Sequence, residues 1–381
     1  MHEIEQGPIR PPSEAQSLLL RVTRNCSWNN CEFCHIYKGQ RFSLRTVEEV
    51  KKDIDAISSI VSKIKSWSWN QGYGGVITPS VTRAFLHSSR ELPDGYRSII
   101  LWLHRGGKNV FLQDANNLAH KTKDLVEILS YLRKAFPSIE RITTYSRART
   151  IARKTLEELR NLREAGLSRI HAGLESGYDP ILKYVQKGVT ARELIDAGTK
   201  VKQAGISLSE YIMPGLGGKA MWREHAVETA RVLSEIDPDF IRVRTFKALR
   251  IMPVYRRMDT GELELLSDDE IVAEQRLLIE NLNGITSYFA SDHILNLLEE
   301  LDGQFPDAKE KMLSVIDRYL AFSQEERNNF RLGRRAGYYR TLDDMQNLEL
   351  RSRVDMILGR IETQNPGSLD AVISELMESF I

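Results

Sequence analysis

The sequence predicts an α/β protein in which strands and helices alternate up to about residue 250, followed by a helical region. Five short runs rich in β-branched and aromatic residues begin 32, 27, 38 and 34 residues apart, which is the size of a βα unit. These runs cover 109–112, 141–145, 168–172, 206–213 and 240–244. Amphipathic helical patterns lie between them, and helical patterns dominate after about residue 250.

The first strand is predicted over 17–22, and helix boundaries are marked by local signals. Four hydroxyl residues have Glu three positions later, the pattern of a capping box: Thr46, Thr155, Thr190 and Ser267. Two helices end in Ala-Gly, where glycine supplies a left-handed stop, at Gly166 and Gly205. Six strands alternating with helices predict a parallel β/α architecture. The residues alone leave open whether the sheet is open or closed into a barrel.

The repeat suggests three regions along the chain. We expect an N-terminal extension over 1–15, a core over 16–250 and a helical C-terminal accessory domain over 251–381. Within the core, an insertion over 65–108 is rich in aromatic residues and lengthens the first connection. Aromatic residues are mostly buried, so we expect extra helices on the outside of the core rather than a lid.

Composition narrows the functional class. The 381 residues carry a net charge of +1, which favours neither nucleic acid nor an anionic membrane, and no apolar run is long enough to span a bilayer. The first residues lack the charged-then-apolar pattern of a signal peptide, so we expect a cytoplasmic location. The stretch 330–340 mixes basic and aromatic residues, which leaves RNA binding open as a minor possibility.

All three cysteines lie within nine residues, at Cys26, Cys31 and Cys34. Three thiolates give an iron–sulfur cluster one ligand fewer than the usual four, which leaves one iron open to a molecule that is not a side chain. A Cys3His zinc site with the adjacent His35 is the alternative, although zinc ligands are usually spaced by two to four residues. A disulfide framework does not fit an odd cysteine count in a chain of this length.

The spacing C-x4-C-x2-C resembles the cluster loop of the radical S-adenosylmethionine (SAM) enzymes, whose common form C-x3-C-x2-C is one residue shorter. Phe33, just before the last cysteine, fits the same pattern. The stretch 171–177, His-Ala-Gly-Leu-Glu-Ser-Gly, followed by Lys187-Gly188, resembles the branch that contains coproporphyrinogen dehydrogenases, tRNA methylthiotransferases and Elongator-like proteins. The resemblance covers about 16–250. It implies a partial (β/α)6 TIM-like barrel with a helical C-terminal domain.

The resemblance also implies the cofactors: an oxygen-sensitive [4Fe–4S] cluster, bound by the three cysteines, and SAM. In the family a carbon–sulfur bond of SAM is cleaved reductively, and the resulting 5′-deoxyadenosyl radical takes hydrogen from the substrate. The electron comes from a donor such as flavodoxin or ferredoxin. The family pattern, carried over to strand ends here, implies cofactor contacts at Phe33, Asp114, Ser146, Arg147, Glu175, Ser176, Met213 and Arg244. Asp114 stands where the family usually has Gly-Gly-Glu.

Residues outside these motifs are candidates for the substrate site: His171, Arg242, Asp292 and His293. Asp292 and His293 are expected to start a C-terminal helix. The sequence has no further cysteine for an auxiliary cluster. We therefore expect a single-cluster enzyme that acts on a small molecule or cofactor precursor. The alternatives are a non-catalytic haem-binding carrier of the coproporphyrinogen-dehydrogenase type and a tRNA-modifying enzyme.

Overall fold

The chain divides into two compact units. The computed structural model describes residues 4–88 and 94–380. The first unit comprises Met1–Asn29, Ile36–Ala172 and Asp196–Leu208, and the second comprises Asn30–His35, Gly173–Ile195 and Ser209–Ile381. No helix within the described residues is long and apolar enough to cross a membrane. The predicted boundaries near 15 and 250 stay predictions.

Ten strands and fifteen α-helices follow one another along the described chain. The strands are β1 (Leu18–Arg21), β2 (Thr23–Arg24), β3 (Ser43–Leu44), β4 (Asn109–Gln113), β5 (Arg141–Ser146), β6 (Leu167–Glu175), β7 (Ser207–Ile212), β8 (Phe240–Val243), β9 (Tyr288–Ala290) and β10 (Asp302–Gln304). The helices up to residue 236 are α1 (Val47–Asn70), α2 (Pro79–Ser88), α3 (Asp94–His104), α4 (Thr122–Ala135), α5 (Ala148–Arg153), α6 (Leu156–Ala165), α7 (Asp179–Tyr184), α8 (Ala191–Gln203) and α9 (Gly218–Ile236). The remaining helices are α10 (Tyr255–Asp259), α11 (Asp268–Asn281), α12 (Lys309–Leu320), α13 (Gln324–Arg335), α14 (Leu348–Gln364) and α15 (Leu369–Glu378).

Among the described residues, the main sheet has eight strands in the order β1-β4-β5-β6-β7-β8-β9-β10. Pairing is parallel for β1–β4, β4–β5, β5–β6, β7–β8 and β8–β9, whereas β10 pairs antiparallel with β9. The short strands β2 and β3 form a separate antiparallel ladder that joins the two ends of the cysteine loop. The predicted fold class, a parallel β/α sheet followed by a helical region, is confirmed.

Local signals placed most elements correctly. The six predicted strands correspond to β1 and β4 to β8. All four predicted capping boxes are formed, with reciprocal side-chain and backbone hydrogen bonds at Thr46, Thr155, Thr190 and Ser267. Gly166 and Gly205 have φ values of 117° and 71°, as a left-handed helix stop requires.

The expectation that strands end near residue 250 is wrong. Strand β9 adds to the main sheet beside β8, and β10 folds back on β9. Asp292 and His293 consequently do not start a helix; they lie in the irregular segment that follows β9. The hydroxyl of the preceding residue, Ser291, donates to the carbonyl of Leu298 at 2.7 Å.

The insertion over 65–108 is helical, as predicted, in its described part. It holds the end of α1 together with α2 and α3, and residues 89–93 lie outside the described residues. The ring of Trp67 stacks on Tyr73 at 6.4 Å between centroids and meets Phe85 edge-on at 5.5 Å. These contacts build a small aromatic core of the insertion's own.

The strands of the first unit have one apolar face and one partly polar face. Side chains alternate along a strand, so the register places Arg21 beside Gln113 and Tyr145 beside His171 on a face shared with Phe111. The opposite face carries only apolar side chains in β1 and the first part of β4. In β1 and the first part of β4, the polar side chains therefore lie on the partly polar face.

The N-terminal extension packs on this partly polar face. Residues Pro12–Glu14 form a 3-10 helix, and the buried carboxylate of Glu14 accepts from Ser17 at 2.5 Å and from Arg141 at 3.1 Å. Its other oxygen lies 3.4 Å from Nε2 of His171. His171, a predicted substrate contact, is thus fully buried and paired within the first unit.

The basic stretch over 330–340 is largely internal. In the second unit Arg335 donates to Asp268 at 2.9 Å and Arg331 donates to the same carboxylate at 3.1 Å, and all three side chains are buried. Burial alone would raise the pKa of Asp268, but Arg335 and Arg331 outweigh it and hold that pKa below its ordinary value. Two of the four arginines in this stretch are therefore partners of an interior acid, whereas Arg334 and Arg340 pair with Glu299 and Arg340 is exposed.

We expect Asp268→Asn to lower the free energy of unfolding by about 3–5 kcal/mol, because it leaves two buried guanidinium groups without a full counter-charge. Urea unfolding would measure the loss. The exposed pair Arg353–Glu349 provides the control, since Glu349→Gln should cost less than about 1 kcal/mol. Equal effects of both substitutions would contradict the buried network.

The lowered pKa of Asp268 also gives a sign to the pH dependence. The stabilisation by Asp268 is present above the pKa of the unfolded state and is lost as pH falls through the lower pKa of the folded state. Asp268→Asn should therefore flatten the acid side of the stability profile.

Candidate cluster and cofactor site

None of the three cysteines forms a disulfide, and each is half-buried. The amide of Cys34 donates to the carbonyl of Cys31 at 3.3 Å, which forms the turn between the last two cysteines. In the part of the chain that the structure describes, no three His, Cys, Asp or Glu side chains converge closely enough to form a metal site. The donor set itself, three thiols on one short loop, suits an iron–sulfur cluster.

The two ends of the cysteine loop meet at Asp114. Oδ2 of Asp114 accepts from Arg21, at 2.8 Å from Nε and 2.6 Å from Nη2, and from the backbone amide of Asn25 at 2.8 Å. Oδ1 accepts from the hydroxyl of Tyr37 at 3.0 Å. Asp114 is fully buried and has a φ of 76°, a left-handed conformation that is uncommon for a residue with a side chain.

Two residues farther on, Asn116 connects the next strand end to the loop. Its amide nitrogen donates to Oγ of Ser27 at 2.8 Å, and its oxygen accepts from Oγ of Ser146 at 3.0 Å and from the backbone amide of Arg147 at 3.1 Å. The guanidinium of Arg147 lies 5.0 Å from the ring centre of Trp28. The predicted cofactor contacts Ser146 and Arg147 are thus brought against the first half of the cysteine loop.

In the second unit, Glu32 anchors the second half of the loop. Its carboxylate accepts from Arg257 at 2.7 Å and from Gln186 at 2.6 Å. Phe33 packs on an apolar cluster that includes Met213, so these two predicted cofactor contacts belong to one surface. A buried ion pair and an apolar anchor therefore fix the residues between Cys31 and Cys34.

Glu175, at the end of β6, forms an ion pair with Lys187. Nζ of Lys187 lies 2.8 Å from Oε1 of Glu175, and each side chain is 12% exposed. Glu175 has a φ of 62°, and its carbonyl accepts from the amide of Met213 at 3.0 Å. A Cβ at Gly173 would lie 2.2 Å from Oε1 of Glu175, so the pair needs glycine beneath it. Ser176 is buried, and its hydroxyl accepts from the amide of Tyr178 at 3.0 Å.

A second acid, Glu210, is buried close to this pair and was missed by the sequence analysis. Burial raises the pKa of Glu210 to about 8 against the opposing charge of Lys187, and the carboxylate of Glu175 adds to the rise. Oε2 of Glu210 is buried without a hydrogen-bond partner among the described residues. The available signal in the sequence was a single acidic residue in the middle of a strand.

A buried His–Glu pair fixes the backbone around Glu175 and the glycine-rich loop after β7. Oε1 of Glu274 lies 2.6 Å from Nδ1 of His225, and its Oε2 accepts from the amide of Gly215 at 2.7 Å. Nε2 of His225 lies 3.2 Å from the carbonyl of Glu175. Helix α11 thereby reaches the same strand ends as the predicted cofactor contacts of this unit.

The predicted substrate residues of the second unit also meet. Nη1 of Arg242 lies 2.5 Å from Oδ2 of Asp292, a partly exposed ion pair. Arg244 follows β8, and its amide donates to the carbonyl of Ile212 at 3.0 Å. Burial lowers the pKa of His293 to about 4, with Arg244 lowering it further, so His293 is neutral near pH 7. Burial and then Arg244 also lower the pKa of His35.

The chain's own groups are compatible with the cofactors that the cysteine loop suggests. Three thiols that form no disulfide could supply the sulfur donors of a cluster, which leaves one position for another ligand. In the second unit, the buried oxygen of Glu210 lacks a protein partner and lies near the charged pair Glu175–Lys187. A buried polar atom of this kind is suited to a polar ligand, because burial without a partner is costly.

Known proteins that resemble this chain include enzymes that modify tRNA. The sequence profile of the radical SAM superfamily matches residues 84–230. The chain is 21% identical over 117 residues to the tRNA uridine(34) acetyltransferase of Methanocaldococcus jannaschii, over 30% of this chain and 22% of that protein. It is 24% identical over 246 residues to the threonylcarbamoyladenosine tRNA methylthiotransferase MtaB of Bacillus subtilis, over 62% of this chain and 50% of that protein.

Two of the solved structures that resemble this chain match it with TM-scores below 0.5. Coproporphyrinogen III oxidase (HemN) from Escherichia coli is 15% identical with a TM-score of 0.44, over 71% of this chain and 53% of that one. Elp3 of Methanocaldococcus infernus is 17% identical with a TM-score of 0.42, over 52% of each chain. This chain spans half or less of the length of the curated relatives named above. The profile match runs from within α2 to within α9, and over these residues the chain is similar to the radical SAM superfamily.

Proposed function

We propose that the protein binds a single [4Fe–4S] cluster through Cys26, Cys31 and Cys34 and cleaves SAM reductively to abstract hydrogen from a small molecule or cofactor precursor. The observation that carries this proposal is the presence of three cysteines without a disulfide in nine residues and of no other cysteine in the sequence. When bound, the cluster and SAM supply one-electron cleavage of a carbon–sulfur bond and hydrogen abstraction. A flavodoxin or ferredoxin is the proposed electron donor.

The remaining residues of the proposed site bind and orient SAM and keep water away from it. In the first unit, Ser146 and Arg147 offer a hydroxyl and a guanidinium beside the loop. In the second unit, Glu175 and Lys187 offer opposite charges, and Glu210 offers a carboxyl that is protonated near neutral pH. The apolar surface of Phe33 and Met213 is suited to a flat ring. We propose the residues named for each unit as candidate SAM contacts, with Ser176 and Arg244 added to those of the second unit.

Action on tRNA is the second candidate function, and the names of two curated relatives favour it. The basic stretch that would have supported it lies mainly in the interior, bonded to Asp268. A haem-binding carrier is the third candidate. Anaerobic incubation of the reduced, reconstituted protein with SAM separates catalyst from carrier, because only a catalyst forms 5′-deoxyadenosine. A gel-shift titration with total tRNA tests the second candidate.

We expect anaerobic reconstitution to give about four irons and four sulfides per chain, and replacement of any one of the three cysteines by Ala to abolish the cluster. Iron and sulfide analysis with the visible absorption spectrum measures this. His35→Ala is the matched control: it should keep the cluster, whereas a Cys3His zinc site would lose its metal. A colourless protein that holds only zinc after anaerobic work would exclude the cluster.

Glu175→Gln should weaken SAM binding by roughly 1–3 kcal/mol, the range for a lost charged hydrogen bond, and should leave the iron content unchanged. Equilibrium binding of SAM to the reconstituted protein measures the effect. Glu264→Gln removes a similar carboxylate–lysine pair, Lys219–Glu264 at 2.6 Å, from the exposed surface and should have no effect on SAM. Unchanged SAM affinity in the Glu175 variant would remove Glu175 from the proposed set.

The residues after β9 are proposed substrate contacts, so Asp292→Asn and His293→Ala should leave cluster content and SAM affinity unchanged. They should alter the rate of SAM cleavage without substrate, because the first substitution releases Arg242 from its ion pair. Timed assays of 5′-deoxyadenosine would detect the change. If both variants matched the parent protein, Asp292 and His293 would have a structural role only.

A further inference from the structure

We propose that Asp114 is a positioning residue that holds the two ends of the cysteine loop together, and that it does not bind the ammonium group of SAM. The group formed by Asp114, Arg21, Asn25 and Tyr37 is called the Asp114 clamp below. Asn25 directly precedes the first cysteine, and Tyr37 lies three residues after the last one. One carboxylate therefore bonds to both ends of the segment that carries every thiol of the chain.

Asp114 already has four donor contacts. Oδ2 receives three, from Nε and Nη2 of Arg21 and from the backbone amide of Asn25, and Oδ1 receives one, from the hydroxyl of Tyr37. Each carboxylate oxygen has two lone pairs, so one lone pair of Oδ1 is left on the side that faces the N-terminal segment. The side chain has no exposed surface. An incoming ammonium group would have to displace one of these donors or the segment that covers Oδ1.

The N-terminal segment closes the remaining side of Asp114. A Cβ built on Gly7 would lie 2.3 Å from Oδ1 of Asp114, so the backbone at Gly7 is in direct contact with the carboxylate. Gln113 holds Gly7 in place, since its side-chain oxygen accepts from the Gly7 amide at 2.9 Å and its nitrogen donates to the Gly7 carbonyl at 3.1 Å. Glu5 adds a second carboxylate on Arg21 at 2.9 Å.

Holding both ends of the loop lowers the entropy that the three thiols lose when they adopt one arrangement. The ladder of β2 and β3 restrains the loop farther out, and the Asp114 clamp restrains it next to the cysteines. The consequence for cluster binding rests on the proposed function. The restraint on the loop itself does not, because it is a property of the protein without the cluster.

The first experiment measures the loop without the cluster, by hydrogen–deuterium exchange and mass spectrometry of the full chain. In Asp114→Asn, peptides within 22–37 should exchange at least about tenfold faster, because a charged acceptor of the Asn25 amide is lost. The matched control is Asp53→Asn, which removes a buried ion pair of the same 2.6 Å length, with Arg45. Both variants should lose global stability, and only Asp114→Asn should change loop exchange. Equal exchange in the two variants would overturn the clamp.

The second experiment separates positioning from cofactor binding. Reconstituted Asp114→Asn should lose iron to a chelator faster than Asp53→Asn. Samples of Asp114→Asn and parent protein matched for iron content should bind SAM within about threefold of each other, since no bond to SAM is removed. More than about tenfold weaker SAM binding at equal iron content, with unchanged loop exchange, would assign Asp114 to SAM and reject the proposal. If no variant, including the parent protein, held a cluster, the proposed function would fail while the exchange result still decided the clamp.

Gly7→Ala tests the same contact without touching a charge or a candidate ligand. The added methyl group must push on Oδ1 of Asp114, so loop exchange and iron loss should both rise, by less than in Asp114→Asn. Gly359→Ala is the control, because a Cβ there meets no atom within 4 Å. Parent-like loop exchange in Gly7→Ala would contradict the close contact on which the shielding of Asp114 depends.

Discussion

A carboxylate can be buried at the end of a strand only if a cation lies beside it, and in each compact unit a strand end depends on such a pair. The first unit has Asp114 with Arg21, and the second has Glu175 with Lys187. Both acids have left-handed backbones, with φ values of 76° and 62°. Such conformations persist only where the surrounding bonds hold them, so the ion pairs also fix the direction in which each strand end turns.

The surroundings of the two ion pairs differ in whether a polar atom is left for a ligand. Around Asp114 the protein itself supplies four donor contacts, and the N-terminal segment covers the rest. Around Glu175, in contrast, one oxygen of Glu210 is buried without a partner, and its carboxyl group is neutral near pH 7. Polar groups that are bonded internally give rigidity, whereas polar groups with an unused atom give a place to bind. This difference supports the structural role proposed for the first pair and the binding role proposed for the second.

The parts of this fold that sequence could predict are those fixed by neighbouring residues. The capping box at Thr155 is encoded by four consecutive residues and the helix stop at Gly166 by one, and both are formed. Strand β9 was missed because it has only three residues and lies in a region where helical patterns dominate. Its parallel pairing with β8 is a contact between distant residues, which the local pattern does not show. Likewise, a sequence cannot reveal that Arg335 faces inward, since its partner Asp268 lies 67 residues earlier.

In the candidate site, too, features that depend on neighbouring residues were predictable and features that depend on distant residues were not. The spacing of the cysteines and the strand-end positions of Ser146 and Glu175 were readable, because both are local. The partners of Asp114 were not, since Tyr37 and Arg21 lie 77 and 93 residues away along the chain. Asp114 is predicted as a cofactor contact from its strand-end position, whereas the contacts that support the proposed clamp are all distant in the sequence. Glu210 escaped notice because a single acid in a strand does not reveal what is buried near it.

Gly7 and Gly173 are positions where glycine is favoured although their backbone dihedral angles do not call for it. Neither has a left-handed φ, yet a Cβ at either position would lie within 2.3 Å of a carboxylate oxygen. Gly72 and Gly74, with φ values of 82° and 65°, have open space around them. Saturation mutagenesis would thus separate two kinds of glycine in this protein. Asn and Asp would be recovered at 72 and 74, where only the dihedral angle matters, whereas even Ala would be depleted at 7 and 173, where the missing atom makes room for a charge.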